Sequence, residues 1–488
     1  MKKLAQLLSF EIPAEYGLLE IENVVDDSRE VKFGDMFIAL SGTNVDGRKF
    51  IKDAVSKGAG FILQQSEDEN TRIDRTDGVV YIFVPDIRAE LVHVASKFFP
   101  SQFNNIVAVT GTNGKSSTVD MIRAILNMSH MSAASLGTLG IITGSSRRKL
   151  PGNMTSPGAL LLHKILHGLD AQGVKNVALE ASSHGIYQHR LDGLNFSVCA
   201  FTNLSQDHLD YHETMEKYFE AKLMLFSEVA PRESIFVVNA DDEHSKKICE
   251  VAESRKIKLL TYGRSDADLK IGEIQQLPEY QQITFSFENR DYSFRLPLQG
   301  TFQAYNSACA ALCCYAIGLP MENIVPILEK VPQIEGRLKL TAKIRGAQIY
   351  VDYAHTPDAL KNALTSLRPI TKGKLFVLFG CGGERDHSKR ALMGQVASEY
   401  ADVVIVTDDN PRREDPAEIR KMILSDCKGA KEIGNRKSAI EQTIDELSQG
   451  DILLIAGKGH EDYQVIGTET IHFSDREVIL DKVKAEEE

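Results

Sequence analysis

The sequence predicts an α/β fold in three units, two of them wound on parallel sheets. Three observations carry this reading. Between residues 101 and 335 the apolar runs VKNVALE, FSVCAFTN and SIFVVNADD alternate with helical segments and end in polar residues or glycine. Strands of a sheet buried on both faces have that pattern. From residue 336 to 488 the pattern restarts in AQIYVDYAH, GKLFVLFGCGG, ADVVIVTDDNP and GDILLIAGKGH, which predicts a second, Rossmann-like unit. Residues 1–100 are different again, with shorter strand-like runs and fewer of them.

In chain order, GDMFIALSG and AGFILQQ predict strands of the first unit, and DGRKFIKDAVSKG between them has helical apolar spacing and a glycine stop. A helix over RAELVHVASKFFP closes the unit at Pro100. The second unit opens on the strand NNIVAVT and the helix KSSTVDMIRAILNM. Within it, QQITFSFENRDYSFRLPLQG alternates in the manner of an antiparallel hairpin.

Bulk properties narrow the function. A chain of 488 residues is expected to form two to four domains. Its net charge of −12 argues against a coat for nucleic acid. No apolar run is long enough to span a bilayer, and the start MKKLAQLLSFEIPAEYG is interrupted by polar residues before any cleavage site. The seven cysteines form no Cys-x-x-Cys pair. They are expected to be buried free thiols in a reducing cytosol, and the four-residue spacing of Cys309 and Cys313 does not by itself make a zinc site. A cytoplasmic monomer is expected, without nucleic acid or membrane as partner.

The stretch VTGTNGKSSTVD, residues 109–120, carries the first chemistry. Between strand and helix, Gly111, Thr112, Asn113, Gly114, Lys115, Ser116 and Ser117 place successive backbone N–H groups at a helix N-terminus, where an anion is favoured. Lys115 adds a point charge for β- and γ-phosphates, and Ser116 a hydroxyl for Mg²⁺. The usual first glycine is replaced by Val109, so the loop is a shortened variant of the phosphate-binding pattern.

Two further strand ends supply titratable groups. VALEASSHGIYQHRLDG brings Glu180, Ser182, His184, Gln188 and Arg190; FTNLSQDHLDYHETMEKYFEAKLML brings Asp207, His208 and Lys222. A carboxylate and an imidazole beside a phosphate loop can hold a divalent cation. Mg²⁺ prefers oxygen, so His208 as ligand and His208 as hydrogen-bond partner both stay open. By spacing alone Lys222 reads as an exposed helix lysine.

Taken together, TGTNGKS, EASSHG, TNLSQDHLDYH, DYAHTP, DDNPR and GKGHEDYQ resemble the Mur ligase family, and within it the members that form the UDP-N-acetylmuramoyl tripeptide. The likeness runs from DDSRE near residue 26 to FSDRE near 473. It implies a UDP-sugar-binding domain (1–100), a central P-loop-type ATPase on a parallel sheet (101–335) and a C-terminal Rossmann-like domain for the incoming amino acid (336–488). ATP would phosphorylate the D-glutamate γ-carboxylate of UDP-MurNAc-L-Ala-D-Glu, and the amine of a diamino acid would attack the acyl phosphate. The lysine matching Lys222 is carbamylated in the family, so Lys222, Lys115, Glu180 and His208 are implied as catalytic, with Ser116, Glu180, His208 and carbamylated Lys222 around Mg²⁺.

The resemblance also implies contacts to the UDP-sugar peptide at Ser28, Thr43, Asn44, Val45, Thr155, Ser156, Ser182, Gln188 and Arg190. ATP contacts are implied at residues 111–117 and at Asn306, Arg337 and Asp352, with His355 near the domain junction. Gln303 stands where the family usually has asparagine. An amino-acid pocket is implied at Arg390, Asp409, Asn410, Pro411, Arg412, Gly457 and Glu461. Members with DNPR at this point typically add meso-diaminopimelate, and those adding L-lysine replace the arginine. A guanidinium fork suits the far carboxylate that lysine lacks. Lysine as the added amino acid, a folylpolyglutamate-synthase-like ligase sharing the phosphate loop, and a nucleotide switch that performs no ligation are the rival readings.

Overall fold

The protein is described by a computed structural model covering residues 1–41, 46–144, 146–151, 154–264 and 266–487. These residues form three larger sheets and two short antiparallel pairs of strands. In the first sheet the strands Val24–Val25, Met36–Ile38, Phe61–Gln65 and Val79–Val84 run parallel, and Arg72–Thr76 closes one edge antiparallel.

The central sheet has eleven strands. Its parallel middle runs in the order Ala133–Gly137, Asn176–Glu180, Asn105–Thr110, Val198–Phe201, Ile235–Asn239, Lys258–Gly263 and Leu269–Gln276. Antiparallel strands extend both edges, among them the expected hairpin Gln281–Phe287 with Arg290–Leu296. Asn176–Glu180 and Val198–Phe201 are buried throughout because helices cover both faces, which is why these strands read as continuous apolar runs. Lys115–Met128 and Thr301–Ala316 contribute to the core on one face. Ala159–Ala171 and Ser245–Arg255 contribute to the other.

The order of these strands places the site. The chain starts at Asn105–Thr110, builds outward to one side, and returns to lay Val198–Phe201 on the other side. At such a switch point the loops after adjacent strands diverge and leave a crevice at the C-terminal ends. The phosphate loop, Glu180 and residues 203–208 all lie at the C-terminal ends of strands that meet there.

In the third sheet Ala347–Asp352, Ile452–Ala456, Leu375–Phe379, Val403–Val406 and Lys431–Glu432 are parallel, with Lys339–Ile344 antiparallel at the edge. The hairpin Tyr463–Ile466 with Glu469–His472 projects beyond it. The seven cysteines are unpaired, and all but the half-buried Cys249 are buried. Among the described residues no helix is long and apolar enough to cross a membrane.

One buried ion pair pins the third unit. Arg436 and Asp475 are wholly buried and bidentate, at 2.7 and 2.8 Å, and Arg436 also donates to the Ala456 carbonyl at 2.9 Å. Removing one partner strands the other charge in a low-dielectric interior. Asp475→Ala is therefore expected to lower stability by roughly 3–5 kcal/mol, read from urea unfolding; a change under about 1 kcal/mol would mean that water reaches the pair.

Candidate active site

The phosphate loop is built from backbone that only glycine tolerates at two points. Gly111 has φ 144°, and a β-carbon there would lie 1.9 Å from Thr202 Oγ1. Gly114 has φ 86°, and its β-carbon would lie 2.3 Å from Asn306 Oδ1. Asn203 holds the loop from the neighbouring strand end: its carbonyl accepts from Thr112 N at 2.8 Å and its Oδ1 from Asn113 N at 2.9 Å. The fully buried Val109 belongs to the strand, so the turn begins later than in the longer phosphate loop. Lys115 begins the helix, and its Nζ donates back to the carbonyls of Gly111 and Thr112, both at 2.8 Å.

A cavity of about 390 Å³ opens above the loop, with Asn113, Ser116, Asn306, Arg337, Asp352 and His355 in its walls. Arg337 lies 4.8 Å over the Tyr353 ring and donates to Ser116 Oγ at 2.8 Å. Gln303 is fully buried and accepts from Asn306 Nδ2 at 3.1 Å; it orients the asparagine that faces the cavity. Asp352 accepts from the backbone of Leu338 and Ala354, tying the linker to the third sheet. Burial raises its carboxyl to about 6, against the pull of Arg337.

Beside the loop, Glu180 ends its strand and accepts from Thr138 N at 2.8 Å and Thr138 Oγ1 at 3.1 Å. Gly137 makes the space, since a β-carbon there would lie 2.2 Å from Glu180 Oε1. His208, at φ 54°, is followed by the short helix Leu209–His212. Its Nε2 lies 3.5 Å from Asp207 Oδ2, and its ring meets His184 edge-on at 4.9 Å. Asp207 also faces His355 at 3.8 Å and the charge of Lys389.

Lys222 corrects the reading from spacing. It is 1% exposed, not a surface lysine. Its Nζ donates to the Gly111 carbonyl at 2.9 Å and sits 4.4 Å over the Tyr218 ring. Two lysines thus converge on one carbonyl. Burial, and then the charge of Lys115, push the Lys222 amine well below its ordinary value; burial likewise lowers Lys115, with Glu180 and Asp207 opposing. Among the described residues no three His, Cys, Asp or Glu side chains are placed to hold a metal. The set Ser116, Glu180, His208 and Lys222 includes only two such side chains.

A connected polar patch adjoins Glu180. Ser156 Oγ donates to the Glu180 carbonyl at 2.9 Å and accepts from Ser182 N and Oγ at 3.1 and 2.9 Å. Arg190 donates to the Ser156 carbonyl and to Gln188 Oε1, both at 2.6 Å. Thr155 Oγ1 lies 3.1 Å from Thr138 Oγ1. Ser28 is buried in the first unit, its carbonyl accepting from Lys57 at 3.0 Å. Thr43, Asn44 and Val45 lie outside the described residues. Arg88, which the sequence did not single out, links the first unit to this patch by donating to the carbonyls of Gln188 at 3.1 Å and Ser41 at 3.2 Å.

In the third unit the DDNPR loop is gripped by residues 457–465, which run from the end of the strand Ile452–Ala456 into the hairpin. Gln464 Nε2 donates to the Asp409 carbonyl at 2.6 Å. Asn410 Oδ1 accepts from Lys458 Nζ and Val465 N, both at 3.0 Å, and its Nδ2 donates to Glu461 at 3.0 Å. At Gly457, with φ 111°, a β-carbon would lie 2.6 Å from Asp409 Oδ2. The Pro411 carbonyl leaves so little room that residue 383 must be glycine, whose β-carbon would lie 2.0 Å away. Arg412 has φ 52° and donates from Nη1 to the Gly383 carbonyl at 2.7 Å. Arg390 sits deeper than expected for a ligand contact: it is fully buried and paired with Glu414 at 2.9 Å.

The second and third units meet across the crevice. A cavity of about 120 Å³ has Thr138 and Thr155 on one wall and Glu461 and Tyr463 on the other, with His460 between them. Asn113 donates to Asp358 at 3.1 Å, and Lys149 pairs with Asp462 at 2.5 Å. Thr138, Lys389, Lys458 and His460 were not picked from the sequence. Lys458 and His460 stood in the quoted GKGHEDYQ, so the motif carried a signal for them; for Thr138, only the glycine before it did.

Family profiles match along the chain: the Mur ligase family catalytic domain over residues 20–111, the Mur ligase middle domain over 109–314 and the Mur ligase glutamate ligase domain over 336–459. A protein of Bradyrhizobium diazoefficiens named UDP-N-acetylmuramoyl-L-alanyl-D-glutamate–2,6-diaminopimelate ligase is 42% identical over 94% of each chain. One of the same name from Rickettsia conorii is 42% identical over 94% of this chain and 95% of its own. A solved structure with that name has 31% identity and a TM-score of 0.71, covering 100% of this chain and 99% of its own. The folylpolyglutamate synthase of Mycobacterium tuberculosis, with a TM-score of 0.63 at 16% identity over 76% of this chain and 91% of its own, shares the fold alone. Profiles matching within residues 20–459 and relatives at 42% identity show that the chain belongs to the Mur ligase family.

Proposed function

We propose that the chain is an ATP-dependent ligase that joins meso-diaminopimelate to UDP-N-acetylmuramoyl-L-alanyl-D-glutamate in peptidoglycan synthesis, with residues 1–100 on the UDP-sugar, 101–335 on ATP and 336–488 on the amino acid. The names of the relatives support the pair of substrates. One observation carries the chemistry: the buried Lys222 and the half-buried Lys115 meet at the Gly111 carbonyl, with Glu180 near enough to act on the Lys115 charge, while Asn113, Gly114 and Ser116 of the same loop line the 390 Å³ cavity.

The reaction must bring two anions together, a triphosphate and a carboxylate. Positioning and charge stabilisation do most of that work. Backbone N–H groups of residues 111–116 receive the phosphates at the helix N-terminus. Lys115 leaves its two loop carbonyls to reach them. Arg337 spans Ser116 and Tyr353 and so presents its charge at the mouth of the loop, and Asn306, backed by Gln303, faces the nucleoside. Ser28, Thr43–Val45 and the patch of Thr155, Ser156, Ser182, Gln188 and Arg190 hold the sugar peptide. A γ-carboxylate oxygen of D-glutamate attacks the γ-phosphorus and ADP leaves. The diaminopimelate nitrogen, as free amine, then attacks the acyl carbon, the C–O bond to phosphate breaks, and orthophosphate departs as the nitrogen gives up a proton to solvent and the amide forms.

The lysine pair also indicates how a cation would be held. Burial and the charge of Lys115 push the Lys222 amine well below its ordinary value, and in its free-base form it is a nucleophile for CO₂: the N–C bond forms, a proton is released to solvent, and a carbamate anion stands where the amine stood. Lys115 then faces an anion in place of a second amine. Mg²⁺ would be held by Ser116, Glu180, His208 and that carbamate, and would supply neutralisation of the phosphate charge.

The test is isotopic. With ¹⁸O in the D-glutamyl γ-carboxylate, ligation is expected to transfer one label to orthophosphate, read by mass spectrometry. Unlabelled phosphate from a turning-over enzyme would overturn the acyl-phosphate reading. The same assay with L-lysine in place of meso-diaminopimelate is expected to yield little product.

A further inference from the structure

We infer that Lys458 is a positioning residue for the incoming diamino acid: by gripping Asn410 it holds the Glu461 carboxylate where it receives the substrate's ammonium. This rests on the amino-acid pocket proposed above.

Lys458 is wholly buried and takes no part in the walls of either crevice cavity. A buried ammonium is unfavourable unless its donors are well used. Here they are used on the pocket loop. Nζ donates to Asn410 Oδ1 at 3.0 Å and to the Tyr463 carbonyl at 2.8 Å, and lies 3.8 Å from Glu461 Oε2. Asn410 Oδ1 also accepts from Val465 N. With both donors on the oxygen, the amide can turn only one way, and Nδ2 faces Glu461 at 3.0 Å. The other Glu461 oxygen meets Tyr463 OH at 3.4 Å. Glu461 is thereby anchored at both oxygens while it lines the 120 Å³ cavity opposite Thr155. Lys458 is also a countercharge between Asp409 and Glu461; the neighbouring cation, Arg436, is committed to Asp475. Without Lys458 the amide is free to invert and set its oxygen against Glu461, in a pocket left with two carboxylates.

The experiment uses the full chain with Lys458→Met, which keeps the apolar stem and removes the donors. Ligation kinetics are measured for all three substrates. Hydroxamate formation from ATP, the UDP-dipeptide and hydroxylamine is measured alongside, since that small nucleophile needs no amino-acid pocket. Losing the grip on Glu461 is expected to raise KM for meso-diaminopimelate by about 30-fold, with kcat, KM for ATP and hydroxamate formation little changed. Lys458→Gln, uncharged and one atom shorter, is the second variant should methionine not fold, with an expected rise of at least about fivefold. An unchanged KM for meso-diaminopimelate, or KM values for ATP and diaminopimelate rising together, would overturn the inference. Failure of the unaltered enzyme to ligate diaminopimelate would instead defeat the functional reading itself.

Discussion

Lys222→Ala is expected to lower ligation by about 10³-fold, the upper end of the scale set by removing a preorganised electrostatic group from a transition state. The size follows from where the side chain is. Lys222 is 1% exposed, shares the Gly111 carbonyl with Lys115, and among the described residues has no carboxylate in hydrogen-bonding contact. As an ammonium it would add a second positive charge beside Lys115, which stability alone does not require. As a carbamate it supplies the anion that Glu180 and His208 lack as a pair. The unaltered enzyme should lose activity in carbon-dioxide-depleted buffer and regain it with bicarbonate, while Lys222→Ala should respond to neither. An alanine variant with near-normal turnover would remove the carbamate from the mechanism. Circular dichroism and the unfolding midpoint separate this from misfolding, since a fully buried lysine packed on Tyr218 also contributes contacts.

What the sequence could and could not convey is visible in the same residues. The helix Lys115–Met128 has the bounds that KSSTVDMIRAILNM predicts, because a buried strand, a glycine turn and helical spacing are all local signals. The parallel strands are legible for the same reason. Lys222 is not: the helix Met215–Met224 carries Glu216, Lys217, Glu220 and Lys222, and only the folded position of the phosphate loop decides which one is buried. The resemblance implied a role for it; the spacing did not. Arg390 shows the converse. The resemblance implied it as a ligand contact, and in the fold its guanidinium is buried and paired with Glu414. Gln303 departed from the family pattern, and its function as the partner of Asn306 depends on the pairing of one helix turn with the next. Cation placement by tertiary contact has no periodicity in sequence, so Arg88 and Lys389 had to await the fold.

Arg412→Ala is expected to raise KM for meso-diaminopimelate by about 10²-fold, the equivalent of roughly 3 kcal/mol for a charge-assisted bidentate contact. KM for ATP should stay within a factor of about two, because the nucleotide cavity does not include this residue. The backbone prepares the side chain for the task. Arg412 is held at φ 52°, its N–H donates to the Val465 carbonyl at 3.0 Å, and its carbonyl accepts from Gly467 N at 2.6 Å. The hairpin Tyr463–Ile466 with Glu469–His472 thus clamps the residue in a conformation it would not choose alone. Its hydrogen bonds among the described residues use Nη1, to the carbonyls of Gly383 and Asn410, so the Nε–Nη2 edge is left to receive a carboxylate in plane. Lysine offers that edge only a hydrogen, and the guanidinium then loses solvent without gaining a partner. The alanine variant should therefore lose selectivity as well as affinity, with the ratio of kcat/KM for the two amino acids moving toward unity. Equal rises in KM for ATP and diaminopimelate would show instead that Arg412 supports the clamp and not the ligand. Arg412→Lys separates the two further: it keeps the charge but loses the fork, and recovery of more than about a tenth of kcat/KM would mean that charge alone, without bidentate geometry, selects the substrate.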